Sequence, residues 1–352
     1  MDVPLRECTD EQLLAEISRR GIDVHASVTE EMVKKVYDFD RLLGQGASGA
    51  VYLVIHKVTK EKFACKVVKK NNDMNDNQSM NTEIEIMKRL RHKHVVSMFE
   101  LFESAKCLWI ILELVEGGDL QSLIAGRDHY SEAVASKFFK QILEGVHYLH
   151  NRGVVHRDLK MPNILVIGNE SGEGNVKIAD FGLSALVHVG EHGYDPDQSG
   201  KRKKYNQLRE VWGTPTHYAP ELLQGAYGPQ ADVWSLGVIL FEMLTGQLPF
   251  NLYEGEEEEK LYKDISAANY DHSVIEHLSP CAKDILKCIL QPNPVKRFSA
   301  SELLNHSWVT GANHSDTHNS HLEAAVVKTK EKGAAPMHRE RSGLMDFFFK
   351  KA

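Results

Sequence analysis

Two short stretches, His156-Arg157-Asp158-Leu159-Lys160-Met161-Pro162-Asn163 and Asp180-Phe181-Gly182, restrict the architecture of this chain more tightly than its composition does. A carboxylate, an ammonium and a carboxamide fall within six residues, and a second carboxylate follows seventeen residues after the Asn. One Asp can orient a hydroxyl, and the Lys can balance charge on a moving phosphoryl group. Asn and the second Asp offer hard oxygen atoms to a divalent cation. A polar surface loop accounts for none of this spacing once the neighbouring motifs are added.

Upstream, Gly44-Gln45-Gly46-Ala47-Ser48-Gly49-Ala50-Val51 sits inside a run of alternating apolar residues from Tyr37 to Val68, which predicts strands. Glycines let backbone amides approach phosphate oxygens without a Cβ in the way. Phe63-Ala64-Cys65-Lys66 follows, then a stretch of helical spacing from Met80 to Arg91 and a short apolar strand from Leu108 to Leu112. As a set, these motifs resemble the eukaryotic protein kinases, and Lys160 resembles their Ser/Thr branch. The resemblance implies an α+β, two-lobed fold with a small antiparallel-sheet lobe carrying one main helix and a large helical lobe. It also implies ATP and Mg2+ as cofactors and proteins as substrates.

Residue roles follow from the same resemblance. Gly44, Gln45, Gly46, Ala47, Ser48 and Gly49 would cradle the phosphates, and Val51 would cover the adenine. Lys66 would contact the α- and β-phosphates and pair with Glu83. Glu85 lies close by, but Met87, one turn beyond Glu83, falls where the family has an apolar residue. In Leu112-Glu113-Leu114-Val115-Glu116-Gly117-Gly118-Asp119, Leu112 is the gatekeeper, while the Glu113 carbonyl and Val115 amide would bind the adenine edge. Ala64, Asp119 and Leu165 complete the nucleotide set. Met87, Met98, His156 and Phe181 match the hydrophobic spine of the family, although pattern alone makes each an ordinary core residue.

Asp158 would take or orient the substrate hydroxyl proton, Lys160 would stabilise the transferring phosphoryl, and Asn163 and Asp180 would ligate Mg2+. Thr214 matches the threonine that touches the catalytic Asp and Lys. Glu221 would pair with Arg297, and Asp232 would hold the backbone of the catalytic loop. Arg157, a cation beside the catalytic Asp, calls for a negative group on the activation segment. Leu208-Arg209-Glu210-Val211 resembles phosphorylase kinase, in which a fixed Glu replaces a phosphate. Activity without activation-segment phosphorylation is therefore expected. Asp119 and Glu242 match acids that read arginines in basophilic kinases, but Met161-Pro162 replaces the Pro-Glu usual before the Asn, which weakens that preference.

The formal charge of −7 argues against nucleic-acid binding by the whole surface, so no direct contact with nucleic acid is expected. Five scattered cysteines form no C-x-x-C pair, and no apolar run is long enough to span a bilayer. An intracellular location, nucleus or cytoplasm or both, is expected. The chain divides into residues 1–36, an N-terminal extension with a short amphipathic helix over 9–20; residues 37–309, the kinase domain; and residues 310–352, a tail expected to be disordered and to end in an aromatic docking peptide. A polar insert covers 185–212. Its Asp195–Gly200 stretch opens like an EF-hand loop but has Asn206 at the twelfth position and Lys201 to Lys204 where calcium would bind, so it is rejected as a calcium site. Lys201-Arg202-Lys203-Lys204 reads equally as a nuclear-import signal or an exposed basic loop. Residues 254–259 form an acidic loop.

Apolar residues return at the end of the tail in Arg341-Ser342-Gly343-Leu344-Met345-Asp346-Phe347-Phe348-Phe349-Lys350-Lys351. One helical turn can place Leu344, Phe347 and Phe348 on one face. The segment resembles the PIP box that docks replication proteins on the sliding clamp, with Arg341 in place of its Gln. Docking on the clamp, docking on the kinase domain and membrane contact all stay open. Residues 81–87, 112–120 and 213–220 resemble the calcium/calmodulin-dependent kinase group, particularly its DNA-damage checkpoint members. A calcium-pathway or metabolic-type kinase regulated by its tail, and a catalytically weak scaffold, are the alternatives.

Overall fold

The computed structural model describes residues 30–46, 49–70, 83–104, 107–124, 129–168, 174–187, 208–252 and 257–311. The predicted helix at 9–20, phosphate-loop residues Ala47 and Ser48, the basic run 201–204, residues 254–256 of the acidic loop and docking residues Leu344, Phe347 and Phe348 lie outside them. The fold has the antiparallel sheet and the helical lobe that the motifs imply.

Strands β1 (Tyr37–Gly46), β2 (Gly49–His56), β3 (Lys62–Lys69), β4 (Met98–Glu103) and β5 (Cys107–Glu113) form one antiparallel sheet in the order β1-β2-β3-β5-β4. The period of two along a strand sends alternate side chains to opposite faces. On β5, Trp109 and Ile111 enter a small apolar cluster with Val33, Tyr37, Val54 and Cys65, whereas Ile110 joins the main core with Met87 and Met98. Val33 belongs to α1 (Glu30–Val36), a helix that the sequence reading leaves outside the domain beginning at residue 37. It is fully buried against the sheet, and the Lys57 amide donates to the Val36 carbonyl at 2.9 Å, so the packed core begins upstream of Tyr37. On the other face, α2 (residues 83–89) carries the buried Glu83, Ile84, Ile86 and Met87.

The helical lobe contains α3 (Leu120–Ile124), α4 (Glu132–Asn151), α5 (Pro220–Leu223), α6 (Gln230–Thr245), α7 (Glu258–Ala267), α8 (Pro280–Ile289), α9 (Ala300–Leu304) and α10 (Ser307–Thr310). Ser131 caps α4 by accepting from the Val134 amide, and Ser299 with Glu302 forms a reciprocal capping box on α9. α6 is apolar nearly all round and is buried over most of its length, as a helix in the middle of a core should be. Short strand pairs β6 (Val154–Val155) with β9 (Ala185–Leu186) and β7 (Ile164–Ile167) with β8 (Asn175–Ile178) bracket the loop that carries Asp158. The lobes are joined by backbone bonds from Val96 N to Ile178 O (2.9 Å) and Ile178 N to His94 O (3.0 Å). No helix among the described residues is long and apolar enough to cross a membrane.

Candidate active site

The site assembles around one buried carboxylate on α6. Asp232 accepts from the backbone amides of His156 (2.8 Å) and Arg157 (2.9 Å) and lies 2.9 Å from His150 Nε2. Burial alone would raise its pKa, but these partners hold the carboxyl below the usual range. The loop it pins is strained: Arg157 has φ of 71°, a left-handed conformation rare for a residue with a Cβ.

Asp158, the next residue, is nearly buried. Thr214 Oγ1 donates to its Oδ1 at 2.8 Å, Lys160 Nζ lies 2.8 Å from its Oδ2, and Lys160 also donates to Thr214 Oγ1 at 2.9 Å. Asn163 Nδ2 donates to the Asp158 carbonyl (2.8 Å) and carboxylate (3.2 Å). Thr214 can approach this closely because Gly213 precedes it. At φ of 113°, a Cβ on Gly213 would sit 2.5 Å from the Arg157 carbonyl oxygen.

A second cluster faces it from the sheet. Lys66 Nζ on β3 donates to Glu83 Oε1 on α2 at 2.8 Å and to Asp180 Oδ1 at 3.1 Å. Burial would lower the Lys66 pKa, yet the two carboxylates outweigh it and the ammonium holds its proton more tightly than free lysine does. Asp180 is likewise raised by burial and lowered further by Lys66, so it stays ionised below the usual carboxylate range. Glu85 turns outward to Lys88 and Arg89. Phe181 is fully buried against His156, with ring centroids 5.1 Å apart, and shares the main core with Met87 and Met98.

Beside the clusters, Val51, Leu112 and Leu165 are half-buried and Ala64 is buried. Val51 pairs with Lys66 across β2 and β3, Ala64 pairs with Leu112 across β3 and β5, and Leu165 on β7 bridges to Asp119. Val115 is also half-buried. Gly44, Gln45 and Gly46 end β1 in the open, and Gly49 (φ of 124°) leaves no room for a Cβ, which would meet Val67 O at 2.3 Å. Glu113 directs its side chain to Lys177 Nζ (2.9 Å), and both Asp119 carboxylate oxygens bond Ser122, capping α3.

A divalent cation fits the oxygen atoms present. Asn163 spends its side-chain nitrogen on Asp158, which leaves its side-chain oxygen Oδ1 without a hydrogen bond among the described residues, and Asp180 Oδ2 is equally unclaimed. Two hard oxygens beside a phosphate-binding loop suit Mg2+. The described residues include one other possible metal group, Asp284, Cys288 and His306, with ligand atoms within 4.8 Å of one another. There His306 Nδ1 accepts from the Trp308 amide (3.2 Å) and Nε2 lies 3.1 Å from Asp284 Oδ2. One ring nitrogen caps α10 and the other pairs with Asp284 on α8, so both are engaged and this is a structural pair.

Arg157 directs its guanidinium to the carbonyls of Leu183 and Ser184 and to Glu210, with Nη1 3.5 Å from Oε2. Tyr227 OH, itself bonded to Glu210 O at 2.7 Å, braces the same strand of chain. Sequence reasoning passed over Tyr227 and His217. The latter is buried, its Nε2 has no hydrogen-bond partner among the described residues, and burial pushes its pKa down to about 4. No local pattern marks either residue, since their roles arise from packing beneath the segment that holds Thr214.

Known proteins carry the same pattern. The family description "Protein kinase domain" matches residues 37–309, and the chain belongs to that family, in its serine/threonine form. Calcium-dependent protein kinase 7 of Arabidopsis thaliana is 38% identical over 281 residues, covering 78% of this chain and 49% of that protein. Calcium/calmodulin-dependent protein kinase type IV of Rattus norvegicus is 37% identical over 307 residues, 85% of this chain and 60% of its own length. A probable myosin light chain kinase of Dictyostelium discoideum is 34% identical over 306 residues, 86% of this chain and 73% of its own. The chain thus spans about half the length of its plant relatives.

Proposed function

We propose that this chain transfers the γ-phosphate of Mg-ATP to serine or threonine hydroxyls of proteins, and does so without prior phosphorylation of its activation segment. The supporting observation is that Thr214 already joins Asp158 to Lys160 while Lys66 already joins Glu83 to Asp180. In this arrangement Asp158 orients the acceptor hydroxyl and takes its proton, and Lys160 offsets charge on the transferring group. Lys66 holds the nucleotide phosphates beneath Gly44 to Gly49, with Val51, Ala64, Leu112 and Leu165 around the base. Bound Mg2+, on Asn163 and Asp180, would supply charge neutralisation at the phosphates. Arg157 and Glu210 keep the activation segment against the catalytic loop in the place of a phosphate.

The relatives, with calcium-dependent and calcium/calmodulin-dependent kinases among them, support the calcium-pathway group as the kinase's family setting. The clamp-docking reading of Leu344, Phe347 and Phe348 draws no support from those relatives and rests on the peptide alone. The test is turnover of a serine-bearing protein by bacterially expressed, phosphatase-treated full-length chain. Activity is expected, together with its loss in Asp158→Asn by a factor of about 10³ or more. An inert wild-type protein would overturn the reading.

A further inference from the structure

We propose that Lys177 is a positioning residue for the nucleotide, acting through its ion pair with Glu113 to fix the connector (113–119) between the lobes. The inference rests on the kinase reading above, in which the Glu113 carbonyl and the Val115 amide meet the adenine edge. It names what holds those two backbone groups in place.

Lysine is rarely buried unless paired, because its ammonium must leave water and its long chain must give up rotamers. Lys177 is only 7% exposed. It lies on β8 directly opposite Leu165 on β7, and cross-strand partners share a face of the sheet. Lys177 therefore projects on the side of the strand pair that carries a residue of the base site. Its Nζ reaches Glu113 Oε2 at 2.9 Å, from the large lobe to the last residue of β5. Glu113 is its one carboxylate partner among the described residues.

The Glu113 carboxylate has a second task. Its Oε2 accepts from the Ser97 amide at 3.3 Å, while the Glu113 amide donates to Ser97 O at 2.9 Å. Residues 94–97 are in turn bonded to β8. Val96 N donates to Ile178 O, Ile178 N donates to His94 O, and His94 Nδ1 lies 2.9 Å from the Val176 carbonyl oxygen. A closed ring results: β5 holds the 94–97 segment, that segment holds β8, and β8 returns to β5 through Lys177. Without the third side, the connector can pivot about Ser97. On the phosphate side, Lys66 makes the converse crossing, from the sheet to Asp180 of the large lobe at 3.1 Å. Each lobe thus lends one lysine to a carboxylate of the other, one pair at the phosphates and one behind the base.

Base recognition needs two backbone groups at hydrogen-bond distance together, so a shift of about 1 Å weakens both. Such binding is common to the ground and transition states. Its loss raises KM for ATP and leaves kcat alone. The Glu113 side chain is 25% exposed and can take up water when Lys177 is removed. An apolar replacement of similar length is therefore tolerated at Lys177, which separates positioning from stability.

Steady-state kinetics of phosphatase-treated, full-length Lys177→Met test the proposal, together with ADP affinity by calorimetry. The ATP KM should rise about tenfold and the ADP Kd with it, while kcat and the acceptor KM stay within about twofold of wild type. Glu113→Gln should raise the ATP KM by a similar factor, and the double variant should be no worse than either single one, since all three lack the same pair. If Lys177→Met does not fold, Glu113→Gln carries the test alone, because its side chain keeps its shape at the edge of solvent. An ATP KM and ADP Kd unchanged in the folded variants would overturn the proposal. Equal rises for ATP and acceptor, or a fall in kcat alone, would also overturn it, since they mark general loosening. A wild type that binds ADP but transfers no phosphate, with ADP bound about tenfold more weakly by Lys177→Met, would overturn the kinase reading and leave this one standing.

Discussion

Two arginine–glutamate pairs in the large lobe do opposite kinds of work. Arg297 is fully buried and gives all five of its N–H groups away: to both Glu221 oxygens at 2.6 and 2.9 Å and to the carbonyls of Gln230, Gln291 and Pro292. Its guanidinium also lies 5.1 Å from the Trp234 ring centroid. Arg157 meets Glu210 by one contact at 3.5 Å, and the Glu210 side chain is 72% exposed. The first pair is a saturated, dry clamp between α5 and the end of the lobe. The second is an open contact whose arginine leans mainly on backbone carbonyls. Burial and saturation, rather than the residue types, set what each pair is worth.

Breaking the clamp gives the largest expected effect. Glu221→Ala leaves a buried guanidinium without its counter-charge, and denaturant unfolding should show a loss of about 3–5 kcal/mol. A loss below about 1 kcal/mol would mean that the carbonyls alone satisfy Arg297, and the contrast with Arg157 would collapse.

Glu242 sharpens the comparison because it shows a half-buried carboxylate with no arginine beside it among the described residues. Its folded pKa, about 7, lies above the ordinary glutamate value. The folded state therefore binds the extra proton, and this stabilisation is complete below the unfolded pKa and lost as pH rises through about 7. Glu242→Gln should be more stable than wild type at pH 8, by on the order of 2–3 kcal/mol, and should match it near pH 4.5. For an arginine-bearing substrate the sign reverses. The wild-type KM should fall as pH rises from 6 to 8, because only the ionised carboxylate attracts the cation. A flat KM profile would remove Glu242 from substrate reading.

These contrasts also mark how far the sequence was legible. Asp158, Lys160 and Asn163 meet because the spacing is local, and Arg297–Glu221 and Asp232 could be matched by motif although 76 residues separate both the Arg297–Glu221 pair and Asp232 from His156. The choice of Glu83 over Glu85 was readable from the apolar Met87 one turn on. Helix α1 was not readable, since its seven residues hold few apolar groups and Val33 acquires meaning only against the sheet. Nor could Glu242 and His217 be ranked by burial in advance. A carboxylate on an otherwise apolar helix can face either water or core, and only the packing of α6 under the Thr214 segment decides it.

The open pair gives the smallest effect and the most informative one. Glu210→Gln removes one exposed, screened contact, so the stability change should stay within about 0.5 kcal/mol. Activity is the sensitive readout, because Arg157 neighbours Asp158 in sequence and shares its pinned loop. Turnover of the phosphatase-treated enzyme should fall severalfold, about 1 kcal/mol in activation free energy, and added salt should lower wild-type turnover toward that of Glu210→Gln while leaving the variant's little changed. A double-mutant cycle with Arg157→Gln isolates the contact: a coupling of roughly 0.5–1 kcal/mol in turnover makes Glu210 the stand-in for a phosphate. Zero coupling would assign the ordering of the segment to the Leu183 and Ser184 carbonyls and to Tyr227, and Arg157 would then, unlike Arg297, be held by backbone oxygens irrespective of the acid beside it.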